Sequence, residues 1–458
     1  MPPAKPDAVF TRQLAQRFPA DFVWGVATSA FQIEGASRAD GKGESIWDRF
    51  CRQPGVIADG SNGDVACDHY HRLESDLDLI ASLGVNAYRF SVSWPRVEPD
   101  ANAAWNEAGL GFYERLVDGL CRRGIAPHLT LNHWDLPQRL QDVGGWGARE
   151  TVHDFVRYAR MINRRLGDRC ASITTHNEPW VIAVLGHESG IFAPGIQRRA
   201  MARQVAHHLL VSHGEALTAL RADGCRAELG IVLNLAPVEP ASSDPADVAK
   251  ARQDDASGLR WYCDPLYFGR YPDEALAELG ADAPLVLPGD MAAIAQPLDF
   301  LGINYYSRSV ASAGAPWNAA ERGLPVTAMG WEIYPQGLTD LLLRLQRDYA
   351  PKKMLVTENG AAFDDRFVDG AVADADRMQY LAQHIDAVAQ ARSGGAKVAG
   401  YMVWSLMDNF EWSSGYTRRF GIVHVDYTTQ QRTPKASALW YRSLLRDWRA
   451  GQPAAEGR

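Results

Sequence analysis

Residues 171–179 read Ala-Ser-Ile-Thr-Thr-His-Asn-Glu-Pro, and residues 353–360 read Lys-Met-Leu-Val-Thr-Glu-Asn-Gly. Each stretch is a run of apolar and β-branched residues that ends in a glutamate, and residues that favour turns come next. Pro179 also fixes the backbone just after Glu178 and removes an N–H group there. The pattern predicts two buried strands, with Glu178 and Glu358 at their carboxyl ends.

Runs of the same kind recur along the chain and alternate with amphipathic segments. Their apolar residues are continuous rather than alternating, which indicates strands buried on both faces, as in a parallel sheet covered by helices. The predicted strands lie within residues 22–34, 87–94, 126–135, 171–179, 227–237, 298–307, 353–360 and 398–408.

Amphipathic segments follow most of these runs. In residues 71–83, Leu73, Leu77 and Ile80 share one face of a helix, and Gly84 provides a stop. The alternation predicts a (β/α)8 or TIM barrel, an α/β fold that places its chemistry at the carboxyl ends of the strands. Similar patterns predict further helices in residues 109–123, 149–166, 203–222, 337–349, 376–392 and 434–448.

Predicted strands and helices alternate through the whole chain, without a linker or an internal sequence repeat. We therefore expect residues 1–458 to form a single catalytic domain, ordered over about residues 10–450. Met1–Pro6 and Gly451–Arg458 are expected to be short flexible termini. Residues 310–330 are expected to form a long loop over the barrel mouth.

The composition argues against several classes of partner. A net charge of −8 offers no basic stripe for nucleic acid or anionic lipid. No apolar run approaches the roughly 18 residues that span a bilayer, so we expect no membrane role. The cysteines are scattered and the start of the chain lacks the pattern of a secretory leader, which favours reduced thiols and a cytoplasmic protein. The sequence leaves a homo-oligomer open.

The histidines and the glycine-rich strings do not predict a bound metal or cofactor. His69 and His71 are close in sequence, and His207 and His208 are adjacent on a predicted helix, but neither pair has the spacing of metal ligands. We expect both pairs to be surface or capping features. The glycine-rich strings lack the spacing of phosphate-binding loops, so we expect no cofactor.

A pair of carboxylates is the usual machinery of glycoside hydrolysis. One of them protonates the departing oxygen, and the other attacks the anomeric carbon or activates water. Glu178 and Glu358 are therefore a hypothesis of reaction class. The competing interpretation of each is a solvated or salt-bridged residue at a strand end.

Short motifs at several of the predicted strand ends extend this hypothesis. They are Phe-Val-Trp-Gly at 22–25 with Ala-Thr-Ser-Ala-Phe-Gln-Ile-Glu-Gly at 27–35, Tyr-Arg-Phe-Ser at 88–91, His-Trp-Asp-Leu-Pro at 133–137, Asn-Glu-Pro at 177–179, Asn-Tyr-Tyr at 304–306, Thr-Glu-Asn-Gly at 357–360, and Trp-Ser-Leu-Met-Asp-Asn-Phe-Glu-Trp at 404–412. With these motifs in this order, the chain resembles glycoside hydrolase family 1, the retaining β-glucosidases, over nearly its whole length.

The resemblance implies that Glu178 is the general acid/base and Glu358 the nucleophile. Retention of configuration requires the two carboxyl groups to lie roughly 5 to 5.5 Å apart, where two negative charges repel, so one group should hold a proton. Arg89 and Tyr306 match family residues that touch the nucleophile, and they would keep Glu358 anionic and leave Glu178 protonated. Asn304 is a further supporting position. A structural ion pair is the competing interpretation of Arg89.

The same resemblance implies a site for one terminal sugar, with polar groups for its hydroxyls and aromatic rings for its apolar face. Asn177 would bind the 2-hydroxyl and so also support catalysis. Glu411 argues against phosphorylated sugars because a carboxylate repels a phosphate, and we interpret the nearby Arg418 and Arg419 as structural. The substrate-binding set is Gln32, His133, Trp134, Trp404, Glu411, Trp412 and Phe420.

Trp180 and Trp331 match aromatic positions around the entrance for the leaving group, although packing of the long loop would also explain them. Phe192 departs from the family, which commonly has His there, and this leaves the leaving-group preference open. The implied activity is that of an exo-acting retaining β-glucosidase on small β-glucosides or cello-oligosaccharides. β-Galactosidase, β-fucosidase and transglycosylation activities are near alternatives, and a non-catalytic sugar-binding protein is the alternative of another class.

Overall fold

Eight parallel strands close into a barrel, in the spatial order β1–β8–β7–β6–β5–β4–β3–β2 and back to β1. The computed structural model describes residues 6–100 and 105–452. Each barrel strand lies on a predicted run, so the predicted TIM barrel is confirmed. The strands are β1 (Val23–Ala27), β2 (Ala87–Ser91), β3 (Ala126–Asn132), β4 (Ser172–Asn177), β5 (Glu228–Asn234), β6 (Phe300–Asn304), β7 (Met354–Asn359) and β8 (Val398–Trp404).

Amphipathic helices cover the outside of the barrel and bury their apolar faces against it. The predicted helices are all present, with ends within four residues of the predicted ones. The helices are α1 (Ala8–Ala15), α2 (Ala30–Ile33), α3 (Ile46–Phe50), α4 (Leu73–Ser82), α5 (Trp94–Val97), α6 (Glu107–Arg122), α7 (Gln138–Gln141), α8 (Glu150–Leu166), α9 (Arg199–Ala222), α10 (Pro245–Asp255), α11 (Trp261–Phe268), α12 (Asp273–Leu279), α13 (Asp290–Ile294), α14 (Pro335–Tyr349), α15 (Ala375–Ser393) and α16 (Ala436–Ala450).

The sequence patterns missed the helices of the segment between β5 and β6. There the chain forms α10 to α13 and a π-helical stretch, Ala256–Arg260. The amphipathic signal is weak because these helices are short, and Ala251 is the one buried residue of α10. A second π-helical stretch, Val181–Glu188, follows β4. Both stretches border the cavity described below.

The prediction that His69, His207 and His208 are surface or capping features is wrong. All three are buried, because α9 packs against α8 and α13 and the segment around His69 is covered by its neighbours. His207 Nε2 lies 2.8 Å from a carboxylate oxygen of Asp290, and His69 Nδ1 lies 2.8 Å from one of Asp76. His69 and His207 therefore pair with buried carboxylates, and His208 Nδ1 lies 2.9 Å from the carbonyl oxygen of Trp146. His71 is exposed, as predicted.

Residues 1–5 and 453–458, which contain most of the predicted flexible termini, lie outside the described residues, as do residues 101–104. Over residues 6–100 and 105–452, no helix is long and apolar enough to cross a membrane. The cysteines are all free thiols. In the same part of the chain, no group of three or more His, Cys, Asp and Glu side chains is arranged to hold a metal ion.

Candidate active site

A cavity of about 620 Å³ lies at the carboxyl ends of the barrel strands. Its walls include the last residues of β5, β6 and β8, which is the end where TIM barrels place their chemistry. Gln32, Arg89 and Asn177 are buried behind these walls. The other predicted site residues line the cavity: His133, Trp134, Glu178, Trp180, Asn304, Tyr306, Trp331, Glu358, Trp404, Glu411, Trp412 and Phe420.

Glu358 lies on β7 and is 2% exposed. Arg89, from β2, donates from Nη1 to Glu358 Oε1 at 2.5 Å, and the Tyr306 hydroxyl donates to Oε2 at 2.6 Å. Burial raises the pKa of Glu358, while the charge of Arg89 and the hydrogen bonds from Tyr306 and Arg89 act against that rise. Each oxygen of Glu358 therefore has its own donor, and one of the two donors is a cation.

Glu178 directly follows β4, with a left-handed backbone conformation of φ 49°. Its N–H donates to the carbonyl oxygen of Val232 on β5 at 2.9 Å, and its carboxyl accepts a hydrogen bond from the side-chain amide of Asn304. Burial, together with the negative charge of Glu358, raises the pKa of Glu178 to about 8. The donor to Glu178 is thus a neutral amide, whereas Glu358 is paired with a guanidinium.

Asn177 connects the two glutamates through hydrogen bonds. Its Oδ1 accepts from Arg89 Nη2 at 2.6 Å and from Asn304 Nδ2 at 3.0 Å. The continuous path therefore runs from Glu178 through Asn304, Asn177 and Arg89 to Glu358. Because every link is buried, a change in one link alters the surroundings of both carboxyl groups.

Aromatic side chains line the side of the cavity formed after β3 and β8, which we call the inner wall. The His133 ring stacks on Trp404 with a centroid distance of 5.8 Å, and Trp134 packs on Trp412 at 4.5 Å. Trp134 and Trp412 both have left-handed backbones, with φ of 80° and 49°. Burial holds the pKa of His133 well below its usual value, so the ring is neutral. Flat apolar surfaces edged by neutral polar atoms complement a hexose ring.

Gln32 and Glu411 meet at the same wall. Gln32 Nε2 lies 3.4 Å from Glu411 Oε2, and it also donates to Asn409 Oδ1 at 3.0 Å and to the carbonyl oxygen of Phe410 at 2.9 Å. The Ser29 hydroxyl donates to Gln32 Oε1 at 2.6 Å. Gln32 therefore fixes the loop that carries Glu411, and its contact with a sugar hydroxyl stays a prediction.

The charge state of Glu411 corrects part of the argument from sequence. Burial, as the largest cause, raises its pKa to about 8, so at pH 7 this carboxyl is mostly protonated and does not repel a phosphate by charge. The arginines that line the cavity do not favour a phosphorylated sugar either. Arg203 and Arg308 are each paired with a carboxylate, Glu188 and Glu332 respectively, at 2.8 Å.

The side of the cavity formed by the segments after β4 and β5, together with the residues around Trp331, is the outer wall. Trp180 is half-buried there, and Trp331 is 36% exposed with its ring 5.4 Å from that of Tyr306. Phe192, which stands where the resemblance predicts a histidine, packs on Trp134 with a centroid distance of 5.8 Å. The entrance is therefore apolar at that position.

Sequence reasoning missed most residues of the outer wall. Asn234 could have been found, because it ends a predicted strand at the reactive end of the barrel. The others lie on π-helical stretches, on polar positions of α9 and α10, or in loops, and they carry no local signal of a site. The missed residues include Val184, Leu185, Glu188, Arg203, Asn234, Asp254, Ser257, Leu259, Arg308 and Met329.

A closed (β/α)8 barrel with two buried and differently supported carboxyl groups at its strand ends defines the class of glycoside hydrolases. The model of glycosyl hydrolase family 1 matches residues 14–449, and the chain belongs to this family. The resemblance found in the sequence motifs is thereby confirmed, and the protein is an enzyme.

Named relatives cover nearly the whole chain. Beta-glucosidase A of Acetivibrio thermocellus is 46% identical over 442 residues, which are 94% of this chain and 98% of that protein. A bifunctional beta-D-glucosidase/beta-D-fucosidase of Bifidobacterium breve is 42% identical, with 94% of this chain and 98% of that protein covered. Among solved structures, the family 1 β-glucosidase of Thermotoga maritima is 43% identical with a TM-score of 0.91, covering 94% of this chain and 99% of that one.

Proposed function

We propose that the protein is an exo-acting retaining β-glucosidase that removes terminal β-linked glucose from small glucosides or cello-oligosaccharides. The unequal support of the two glutamates carries this proposal. Glu358 has a guanidinium and a phenol hydroxyl as donors, whereas Glu178 has a neutral amide and a pKa raised to about 8. Near neutral pH, Glu358 is the anion and Glu178 holds the proton.

The proposed reaction has two displacements. In the first, a carboxylate oxygen of Glu358 bonds to the anomeric carbon while the bond to the leaving oxygen breaks, and Glu178 gives its proton to that oxygen. In the second, Glu178 takes a proton from water, whose oxygen bonds to the anomeric carbon and releases Glu358. An alcohol in place of water gives transglycosylation. Arg89 and Tyr306 stabilise the negative charge that Glu358 carries at the start and at the end of this cycle.

The inner wall supports the choice of an unphosphorylated hexose. Trp404 provides the ring surface, and we propose that Gln32, His133, Asn177 and Glu411 bind its hydroxyls. A neutral set of this kind tolerates either configuration at carbon 4, so β-galactoside and β-fucoside hydrolysis are expected side activities. We also propose a reducing, cytoplasmic location, which the free cysteines support.

The test is release of nitrophenol from β-glucoside, β-galactoside, β-fucoside, α-glucoside and 6-phospho-β-glucoside. The parent protein is compared with Glu358→Ala and with a control variant, Glu239→Gln. Glu239 is likewise a glutamate paired with an arginine, but its partner is Arg308 of the outer wall. We expect turnover of the unphosphorylated β-glycosides, lost by roughly four orders of magnitude or more in Glu358→Ala and kept in Glu239→Gln. NMR of the first-formed sugar should show the β-anomer.

Other outcomes would contradict the proposal. The α-anomer as first product would exclude double displacement, and a preference for the phosphorylated glycoside would exclude the assigned sugar. An inactive parent protein that still bound glucosides would favour a sugar-binding protein. That alternative has no structural observation in its favour, because both glutamates and their donors are in place.

A further inference from the structure

One loop, residues 405–421, carries the part of the inner wall that lies beyond β8. It begins at the end of β8, brings Glu411, Trp412 and Phe420 to the cavity, and ends before a short strand, Val423–Val425. Apart from one 3₁₀ turn, Trp412–Ser414, the loop has no helix or strand of its own. Side-chain hydrogen bonds and ion pairs, within the loop and to its surroundings, therefore set its conformation.

Asp408 is the central contact of this loop, and it is fully buried. Its Oδ1 accepts from Lys435 Nζ at 2.7 Å and from the backbone N–H of Gly421 at 3.1 Å. Its Oδ2 accepts from Arg419 Nη1 at 2.6 Å. Gly421 and Arg419 lie at the far end of the same loop, so Asp408 joins the two ends of the loop and attaches them to Lys435, which directly precedes α16.

A second group of charges extends this contact. Lys435, which is fully buried, also donates to Asp365. Arg377, on α15, donates from Nη1 to Asp365 Oδ1 at 2.9 Å and to Asp374 Oδ2 at 2.6 Å. Three cations thus face three carboxylates, so the group has no net formal charge. We call Asp365, Asp374, Arg377, Asp408, Arg419 and Lys435 the Asp408 cluster.

The Asp408 cluster connects the segment that follows β7 with the loop that carries Glu411. Arg377 donates from Nε to the carbonyl oxygen of Ala361 at 3.3 Å and from Nη2 to that of Arg419 at 2.7 Å. Ala361 and Asp365 follow β7, the strand of Glu358, whereas Arg419 belongs to the loop of Glu411. The cluster therefore fixes the distance between the strand that carries the nucleophile and the loop that carries Glu411.

We propose that the Asp408 cluster positions the loop 405–421, and with it Glu411, for the sugar, and that Arg419 is a positioning residue for glucose binding. This inference rests on the proposed function. A buried ionic cluster is poor evidence of stability, since well-packed apolar residues often stabilise equally well. Its directional hydrogen bonds to backbone groups of both segments instead specify one geometry, and this is what a site for a hexose needs.

The experiment measures kcat and KM of the full chain on nitrophenyl β-glucoside, with each variant made in the parent protein and in a Glu411→Gln background. The variants are Arg419→Gln, Arg419→Lys, and Arg418→Gln as the matched control. Arg418 is the same residue type one position away, and its side chain donates to the carbonyl oxygen of Thr417 instead of the cluster.

We expect Arg419→Gln to raise KM roughly tenfold in the parent protein, with kcat changed by less than about threefold, and to change KM by less than about threefold in the Glu411→Gln background. Arg419→Lys should restore most of the glucoside KM, because it returns a charged donor to Asp408. Arg418→Gln should behave as the parent protein does. If Arg419→Gln does not fold, the variant Asp408→Asn with Arg419→Gln, which removes one charge of each sign, gives the same comparison.

Equal changes of KM in the two backgrounds, or a lowered Tm with an unchanged KM, would overturn the inference and leave the cluster a purely structural role. An inactive parent protein would overturn the proposed function, and this inference with it. An active parent protein whose KM does not change in Arg419→Gln would overturn the inference alone.

Discussion

The inner and outer walls of the cavity are built in different ways. On the inner wall, Gln32, His133 and Trp404 are buried, and the polar groups of Gln32 are hydrogen-bonded within the protein. On the outer wall, Trp180 and Asn234 are partly exposed, and π-helical stretches form much of the surface. A rigid wall suits a sugar that is always the same, whereas an open wall accepts leaving groups that vary.

The largest expected effect comes from removing the proposed proton donor, Glu178. In Glu178→Ala, no group remains to protonate the leaving oxygen, so kcat/KM for cellobiose should fall roughly a thousandfold. A dinitrophenyl glucoside needs no proton for departure, and its first step should slow far less. Presteady-state release of the two leaving groups measures this difference. An equal loss for both substrates would contradict the role of Glu178 as the acid.

The next largest effect comes from removing Arg89, the cation that pairs with Glu358. Arg89→Met removes the cation from Glu358 Oε1, so the pKa of Glu358 should rise and the neutral acid should no longer attack. We expect kcat to fall about a hundredfold at pH 7, while protonation of Glu358 limits the loss of stability. Steady-state kinetics and thermal unfolding measured together check this. A stability loss in proportion to the activity loss would favour a structural ion pair.

The pH dependence gives a smaller effect. The pKa of Glu178 is raised to about 8, and its protonated form is the active one, so kcat/KM should fall about tenfold per pH unit above 8. The pKa of Glu411 is also raised to about 8, so Glu411→Gln is the control. This variant should keep the fall of kcat/KM above pH 8. If kcat/KM no longer falls above pH 8 in Glu411→Gln, the titrating group is Glu411 and not Glu178.

The same shift predicts how stability changes with pH. The folded pKa of Glu178 lies above its unfolded value of 4.5, so the folded state binds more protons between these two values. The free energy of unfolding should therefore fall as pH rises through that window, and less so in Glu178→Gln. Thermal unfolding of both proteins between pH 5 and 9 measures this.

The smallest effect belongs to the outer wall. Trp180→Ala should raise KM for an aryl glucoside about fivefold, since one aromatic stacking contact contributes about 1 kcal/mol. The KM for methyl glucoside should not change, because its leaving group is too small to reach the ring. Trp105→Ala, at a half-buried tryptophan outside this cavity, is the control. Equal changes for both glucosides would place Trp180 in the packing of the wall.

The sequence predicted the barrel and the inner wall because their signals are local. Each strand carries its own apolar run, and Glu178, Glu358 and Trp404 lie at strand ends or beside them. The segment after β5 was missed because α10 has little apolar face. The charge of Glu411 was misjudged because its pKa depends on burial by the folded loops. The Asp408 cluster combines residues from separate elements, so no spacing along the chain could indicate it.

The left-handed backbones at Trp134, Glu178 and Trp412 bear on how the enzyme would evolve. Each conformation costs a residue with a side chain about 1 kcal/mol, and all three occur in the lining of one cavity. Glycine or asparagine would relieve this cost at Glu178, whereas at Trp134 and Trp412 it would also remove a buried ring whose packing contributes more than the relief. A lineage selected for heat resistance alone would therefore be expected to lose Glu178 first, so a lineage that keeps this residue is also under selection for turnover.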